Sequence, residues 1–212
     1  MFGSLKIELD RTKTTGHIEA MGRASVKEQI IDAAVEALHQ KGFNGTSVKD
    51  ITDAAQVPKG SFYNHFESKE ALAVEAIDRY WQKVSRSLAE LSDPGSPPVA
   101  RLKSYFSRLD KIAQSREFHT GCLIGNISAE MADQSELVRT RLGILFAAWS
   151  RAIELCVREA QANGSIRRDI EAGAISLFLL NSWEGALMRS KVDRDRAPLE
   201  AFEQVVFISL AP

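Results

Sequence analysis

Beyond residue 25 the apolar residues recur at helical spacing along nearly the whole chain. Val26, Ile30, Ala33, Ala34, Ala37 and Leu38 fall on one face of a helix. Ser25 stands where an N-cap belongs, Glu28 three residues on completes a capping box, and Gly42 supplies a stop. Thr46 or Ser47 provides the cap of a second, brief helix that runs to about Ala55. Gln56 and Val57 make a tight turn, and Pro58 pre-sets the first turn of a third helix, Lys59 to about Phe66. Ser68 caps a long fourth helix that starts at Lys69 with Glu70 in its first turn. The run Asp93-Pro94-Gly95-Ser96-Pro97-Pro98 ends that helix and opens a fifth. Further helices are predicted over about 98–115, 121–132, 135–163, 170–191 and 197–210, punctuated by Asn163-Gly164 and Ala197-Pro198. No alternating run marks a strand and no long repeat is visible, so the expected class is all-α with about nine helices.

Composition narrows the function classes. The 212 residues are 44% apolar and 26% charged, which suits a globular protein with a real core. Lys and Arg number 27 against 28 Asp and Glu; this excludes a polybasic tail but leaves room for a local basic face. Two cysteines, Cys122 and Cys156, cannot build a disulfide framework and point to a reducing compartment. The longest apolar runs, Ile144–Trp149 and Val205–Ile208, are far below the ~18 residues of a membrane span. Glu8 and Asp10 stand where a signal peptide needs its apolar core. The expectation is a soluble, cytoplasmic protein with no membrane partner. Cys/His spacing and acidic loops fit no metal, and no cofactor motif is present. Residues 1–25 read as a flexible arm whose Arg11, Lys13 and Arg23 could reach phosphates, or as a plain disordered tail; Met21 looks like a more natural start.

Two short helices joined by a tight turn behind an amphipathic helix have the layout of a helix-turn-helix. A major groove about 12 Å wide admits one helix, and the others must hold it. In the third helix Phe62 and Phe66 lie four apart and face inward, leaving Lys59, Ser61, Tyr63, Asn64 and His65 outside as hydrogen-bonding groups. Gly60 lets backbone approach a phosphate closely. A plain helical hairpin with a solvated face would share this layout, and local charge does not separate the two, since residues 21–65 hold five Lys/Arg and five Asp/Glu.

The residues themselves go further. Gly42-Phe43-Asn44-Gly45-Thr46-Ser47-Val48-Lys49-Asp50-Ile51, then Ala54-Ala55-Gln56-Val57-Pro58-Lys59-Gly60-Ser61-Phe62-Tyr63-Asn64-His65-Phe66, then Ser68-Lys69-Glu70-Ala71-Leu72 resemble the DNA-binding domain of TetR-family transcriptional regulators. The likeness covers 26–72 with nothing inserted. It implies a helix-turn-helix domain over 26–72, a ligand-binding and dimerisation domain over 73–212, and a homodimer on a palindromic double-stranded operator. By position, Lys59, Ser61 and Asn64 would face bases, with Gly60 beside them. Tyr63, His65, Lys69, Ser47 and Lys49 would hold phosphates.

In the second domain two segments stand out: Thr120-Gly121-Cys122-Leu123-Ile124-Gly125-Asn126-Ile127-Ser128-Ala129-Glu130-Met131, and Asn181-Ser182-Trp183-Glu184-Gly185-Ala186-Leu187-Met188-Arg189. Both resemble a subgroup that includes the N-ethylmaleimide-responsive and acrylate-responsive repressors. The resemblance implies a small-molecule inducer, a reactive electrophile or a small organic acid, with Cys122 as a sensing thiol. The residues alone also allow Cys122 to be a packed apolar group. A reactive thiol needs a helix N-terminus or a nearby cation; Cys122 starts a predicted helix, and Arg116 and His119 lie just upstream. Tyr105, Phe118, Cys122, Met131, Phe146, Trp149 and Trp183 are the expected pocket lining, with Arg116, His119, Asn126 and Asn181 as donors for an acidic ligand. Cys156, in mid-helix, reads as packing. Glu184 and Arg189 should pair or face an interface. The apolar circumference of the eighth helix and Leu199, Phe202, Val205, Val206 and Ile208 on the ninth suit a four-helix dimer contact.

Two other classes remain. A cysteine-dependent enzyme needs a base near Cys122, where His119 is three residues away, but the four histidines form no cluster. A helical module that binds protein is the other, separable by the steep salt dependence that only DNA binding shows.

Overall fold

The computed structural model describes residues 25–212. The expectations placed on the arm, on Met21 and on Arg11, Lys13 and Arg23 lie outside the described residues. Within them every regular element is helical: α1 (Val26–Lys41), α2 (Val48–Ala54), α3 (Gly60–Tyr63), α4 (Lys69–Leu88), α5 (Pro98–Ser115), α6 (Leu123–Met131), α7 (Glu136–Ala162), α8 (Ala172–Asp193) and α9 (Ala197–Ser209). A 3-10 turn, Ala89–Ser92, carries α4 toward the proline run, so the fourth helix stops five residues before Asp93. No described helix is long and apolar enough to cross a membrane.

The caps follow local sequence. Ser25, Ser47, Ser68 and Ser135 each accept the N–H of the third residue of their helix. The capping box expected at Ser25 does not close, because Glu28 turns to Arg79 of α4, which also holds Asp32 at 2.5 Å. A capping box does form at Ser47, whose N–H and hydroxyl both donate to Asp50.

The stripe on α1 is wider than its sequence suggests. Ile31, Val35 and His39 join Ile30, Ala34 and Leu38 inside, while Val26 is exposed, because α1 meets α2 and α3 on one side and α4 on the other. Around α1, the residues Ile51, Phe62, Phe66 and Leu72 form the N-terminal core. The α3 helix is shorter than expected: Lys59 sits at its N-cap, and past Tyr63 the chain continues as a turn in which the amides of His65 and Phe66 both bond the Phe62 carbonyl. That turn still buries Phe66.

One hydrophobic core extends from there through α4 into the larger bundle of α5, α7, α8 and α9. Phe106, Trp183 and Phe202 pack ring against ring at 5.0–5.5 Å between centroids, joining α5, α8 and α9. Trp149 of α7 donates its indole N–H to the Tyr105 hydroxyl at 2.7 Å. Cys156 is fully buried and its thiol donates to the Pro98 carbonyl at 3.3 Å; burial pushes it up to about 11, as befits a packing residue.

Asp110 of α5 is a buried carboxyl in this layer. It is 1% exposed, and its one cation is Arg196, which donates to it at 2.7 Å and also reaches Glu200 and Glu203 on α9. Removing Arg196 strands a buried carboxylate. Arg196→Ala is expected to lower unfolding free energy by about 2–3 kcal/mol, reduced from a fully buried pair by the guanidinium's partial exposure. Arg158→Ala, at an exposed guanidinium whose partner Glu154 keeps Arg151 as a second cation, is expected to cost under ~0.5 kcal/mol. Urea titration of both variants checks the contrast.

Candidate functional site

Two places in the fold concentrate polar chemistry: the outer face of α3 and a cavity between α4, α6 and α8.

The α2–α3 unit presents Lys59, Tyr63, Asn64 and His65 to solvent, with Ser61 half-buried and Gly60 open on its outer side. Tyr63 is 63% exposed although its neighbour Phe62 is 1% exposed. No side chain among Lys59, Ser61, Tyr63, Asn64 and His65 makes a hydrogen bond or ion pair to another described residue; Tyr63 and His65 touch only the edges of Phe62 and Phe66. A set of donors and acceptors with no internal partners, on a helix held from behind by two phenylalanines, is a surface that awaits a polar ligand.

The residues expected to grip phosphate divide. Lys49 pairs with Asp53 across one turn, and both are exposed, so a phosphate can displace the carboxylate at little cost. Ser47 is spent on Asp50: its hydroxyl both caps α2 and donates to that carboxylate, which it holds below the usual carboxylate range. Lys69 departs from the expectation. Its ammonium donates to the carbonyls of Phe43 and Thr46, each at 2.9 Å, and stands over the Phe43 ring at 4.0 Å. Lys69 braces the turn before α2 from the start of α4, and two of its three donors are committed there.

The cavity is built around Cys122. Gly121, at φ 68°, turns the chain so that Cys122 becomes the N-cap of α6. An outer chamber of about 220 Å³ is lined by Cys122, Gly125, Asn126, Glu184, Gly185 and Met188, among others. An inner one of about 50 Å³ lies between Cys122, Glu184, Tyr80, Trp149, Trp183 and the apolar side chains of α4 and α5. Cys122 and Glu184 belong to both. Cys122, Glu184 and Tyr80 stand together in the wall of the inner chamber, and the thiol sits at the start of α6, where the N–H groups of Ile124 and Gly125 face the sulfur. Glu184 lies over Gly125, where any Cβ would come within 2.5 Å of its Oε2. Its Oε1 is buried with no hydrogen-bond partner. Burial and then the neighbouring carboxyl raise the Cys122 thiol well above its ordinary value, and burial pushes Glu184 up to about 7.

Of the expected lining, Cys122, Trp149 and Trp183 do face the cavity, as does Asn126, whose amide donates to the Thr120 carbonyl at 2.7 Å. Tyr105, Phe118, Met131 and Phe146 do not. Tyr105 points to Trp149 and the Arg108 side, Met131 is packed in the core at the far end of α6, and Phe118 takes part in the left-handed turn after α5. The cations expected at the thiol are also elsewhere. Arg116 donates to His39, His119 is exposed beside Glu117, and Asn181 is exposed on α8. A carboxyl, not a cation or a histidine base, stands at Cys122. Arg189 pairs with Asp193, whereas Glu184 finds no cation. Sequence reasoning missed Tyr80, Leu109 and Leu187; the ionisable Glu184 in an apolar helix was the one available signal.

Both ends of the α6 segment are tied to the helix-turn-helix. His39 of α1 is 3% exposed; its Nδ1 accepts from Arg116 at 2.9 Å, since a guanidinium only donates, so its Nε2–H donates to the Gly121 carbonyl at 2.8 Å. Burial first, then Arg116 and Lys191, depress its basicity. At the other end, Glu130 accepts the Asn44 N–H at 2.8 Å and lies against Gly42. Leu177, Phe178 and Val192 of α8 and Val205 and Ile208 of α9 are all more than half exposed, as is Met188, which also edges the outer chamber. Contiguous apolar exposure of this kind marks an interaction surface.

Residues 30–76 match the family model described as bacterial regulatory proteins, tetR family, and residues 98–206 match the tetracyclin repressor-like C-terminal domain. The HTH-type transcriptional repressor DhaR of Mycobacterium sp. (strain GP1) is 40% identical over 91% of this chain and 96% of its own length. Among solved structures, a regulatory protein TetR from Rhodobacter sphaeroides superposes with a TM-score of 0.83 at 30% identity, covering 88% of this chain and 99% of that one. The reduced form of NemR from E. coli superposes with a TM-score of 0.77 at 27% identity, covering 88% and 98%. The chain belongs to the TetR family of bacterial transcriptional regulators, ligand-responsive repressors that bind DNA through an N-terminal helix-turn-helix.

Proposed function

We propose that two copies of this chain, joined through α8 and α9, seat their α3 helices in successive major grooves of a palindromic operator, and that a small molecule in the Cys122–Glu184 cavity releases them. The observation that carries the DNA half is the outer face of α3, with its unpartnered Lys59, Ser61, Tyr63, Asn64 and His65. Two-fold symmetry sets the half-sites roughly 34–36 Å apart or at a multiple of that spacing. Lys59, Ser61 and Asn64 read bases; Tyr63, His65 and Lys49 hold phosphates; Ser47 positions α2 by capping it, and Lys69 acts through the Phe43–Thr46 turn.

The division at residues 72 and 73 has a physical form: α4 starts in the reading unit and ends in the effector bundle. The inducer is a reactive electrophile or a small organic acid, and the α6 segment carries its effect. A molecule that displaces Gly121 or Cys122 strains the His39 bond at one end of α6 and the Asn44–Glu130 bond at the other. Both bear on the end of α1 and the turn before α2. The apolar stripe on α8 and α9 is covered by its own copy in the partner, which explains a largely apolar helix with one face open.

Fluorescence anisotropy on DNA from directly upstream of the gene, with N-ethylmaleimide titrated into the complex, tests the whole reading. Release from wild type but not from Cys122→Ser is expected; release from both, or from neither, removes the thiol from the inducer response. Asn64→Ala is expected to change base preference at one operator position by about 1–3 kcal/mol. An equal loss on operator and random DNA would contradict that assignment. Lys69→Ala is expected to weaken all sequences alike and to lower stability by about 1–2 kcal/mol, because two hydrogen bonds from a charged donor are lost. The slope of log affinity against log salt should stay unchanged; a phosphate contact would lower it by about one. Phe178→Asp combined with Ile208→Asp should sediment as a monomer at micromolar concentration, and a persistent dimer would move the interface off these helices.

A further inference from the structure

Neither chamber of the cavity is lined by a Lys, Arg or His. The ionisable groups that face it are Tyr80 from α4, Cys122 at the start of α6 and Glu184 from α8. Lys191 lies nearby, with its methylenes about 3.4 Å from where a Gly121 side chain would begin, but its charge acts on His39 and not on Glu184. Glu184 is seated on purpose-made space, since the missing side chain at Gly125 is what lets the carboxyl lie beside Cys122. One carboxyl oxygen lies over Gly125, and the other is buried without a partner. A ligand that brought its own carboxylate here would meet a second acid in a water-poor pocket with no cation to offset it. A neutral molecule would meet an unsatisfied acceptor and a thiol with a carboxyl beside it.

We infer that Cys122 and Glu184 form a thiol–carboxyl pair that admits small neutral electrophiles and excludes carboxylates, with Glu184 taking the thiol proton as the sulfur is alkylated. This rests on the reading of the cavity as the inducer site and decides between the two inducer classes in favour of the uncharged electrophile. With an alkyl halide the balance is simple. The Cys122 S–H bond breaks and its proton passes to Glu184. The sulfur lone pair forms the S–C bond, the carbon–halogen bond breaks, and the halide leaves with its electron pair. The N–H groups of Ile124 and Gly125 face the sulfur as its charge develops. A base beside the thiol removes the need for free thiolate, which burial alone makes scarce.

Iodoacetamide and iodoacetate test this on the intact protein, because they differ in charge at nearly equal size. Alkylation of Cys122 and Cys156 is followed site by site by peptide mass spectrometry, with the urea-unfolded protein giving each reagent's intrinsic rate. In the folded protein Cys122 should prefer iodoacetamide over iodoacetate by about tenfold more than it does unfolded. Glu184→Gln should return that preference to the unfolded value. It should also slow iodoacetamide about a hundredfold at neutral pH, as loss of a positioned base does. The wild-type rate should climb as Glu184 ionises at about 7 and then level, while Glu184→Gln climbs only with the thiol itself. Glu184→Asp keeps the charge but shortens the reach, so it should retain the charge preference and lose rate; it serves as the working variant if Glu184→Gln unfolds. A folded-state preference equal to the unfolded one, identical behaviour of wild type and Glu184→Gln, or a Cys122 inert to both reagents would each overturn the proposal. Anisotropy on the same samples separates the two levels: a carbamidomethylated protein that stays on its operator would leave the pair's chemistry standing and remove its regulatory role.

Discussion

The bond from the Nε2–H of His39 to the Gly121 carbonyl ties the helix-turn-helix to the segment that builds the cavity. It spans 82 positions of sequence and joins the last turn of α1 to the residue that sets up both α6 and the cavity wall. Its direction is fixed chemically. Arg116 can only donate, so Nδ1 must accept, and the remaining ring nitrogen carries the proton. The strand of chain that delivers Gly121 is itself constrained, because Glu117, Phe118 and Gly121 all have positive φ. A segment held in that conformation by packing has few ways to yield gradually. Coupling between distant sites needs such an element, one that both sites can bias.

Much of the fold is legible in the sequence because its signals are local. Ser47 and Ser68 cap the helices they precede, and Pro97-Pro98 opens α5, all within one turn of the residues that decide them. The outward face of α3 is equally legible: once Phe62 and Phe66 are assigned inward, helical spacing leaves nowhere else for Lys59, Tyr63 and Asn64. Local signals fail where a distant residue competes. Glu28 abandons its capping box because Arg79, fifty-one positions away, offers a charge. Lys69 leaves the DNA face because two carbonyls of a neighbouring turn lie within its reach.

The cavity was the least legible part, for a geometric reason. On α5 the residues Leu109, Ile112 and Ala113 turn toward Cys122 while Tyr105, a full turn earlier, meets Trp149 instead. Which aromatic lines a pocket depends on the rotation of each helix, and periodicity gives a face without naming what it touches. Tyr80 shows the same limit. It lies on α4, outside the two segments that the sequence singles out, yet it lines the inner chamber with Cys122.

The energetics of Glu184 argue that this cavity exists for chemistry. A carboxyl raised in the folded state from its ordinary value to about 7 opposes folding: the cost is absent at low pH and complete above the folded value. At about 1.4 kcal/mol for each pH unit of displacement, the burden above neutral pH is on the order of 3 kcal/mol. That is a large fraction of the net stability of a domain. Nothing in the packing returns it, since the buried Oε1 has no partner and no cation lies against the group. A glutamine of the same shape would avoid the charge, and a leucine would avoid the polarity. Asp110 offers the contrast: at 1% exposed it is the more deeply buried of the two, but Arg196 answers its charge and the pair ties the start of α9 to α5. Glu184 holds nothing in place. Its carboxyl shares the walls of both chambers with Cys122, and an acid kept there at that cost gives the pair a proton acceptor that a merely packed cysteine would not need.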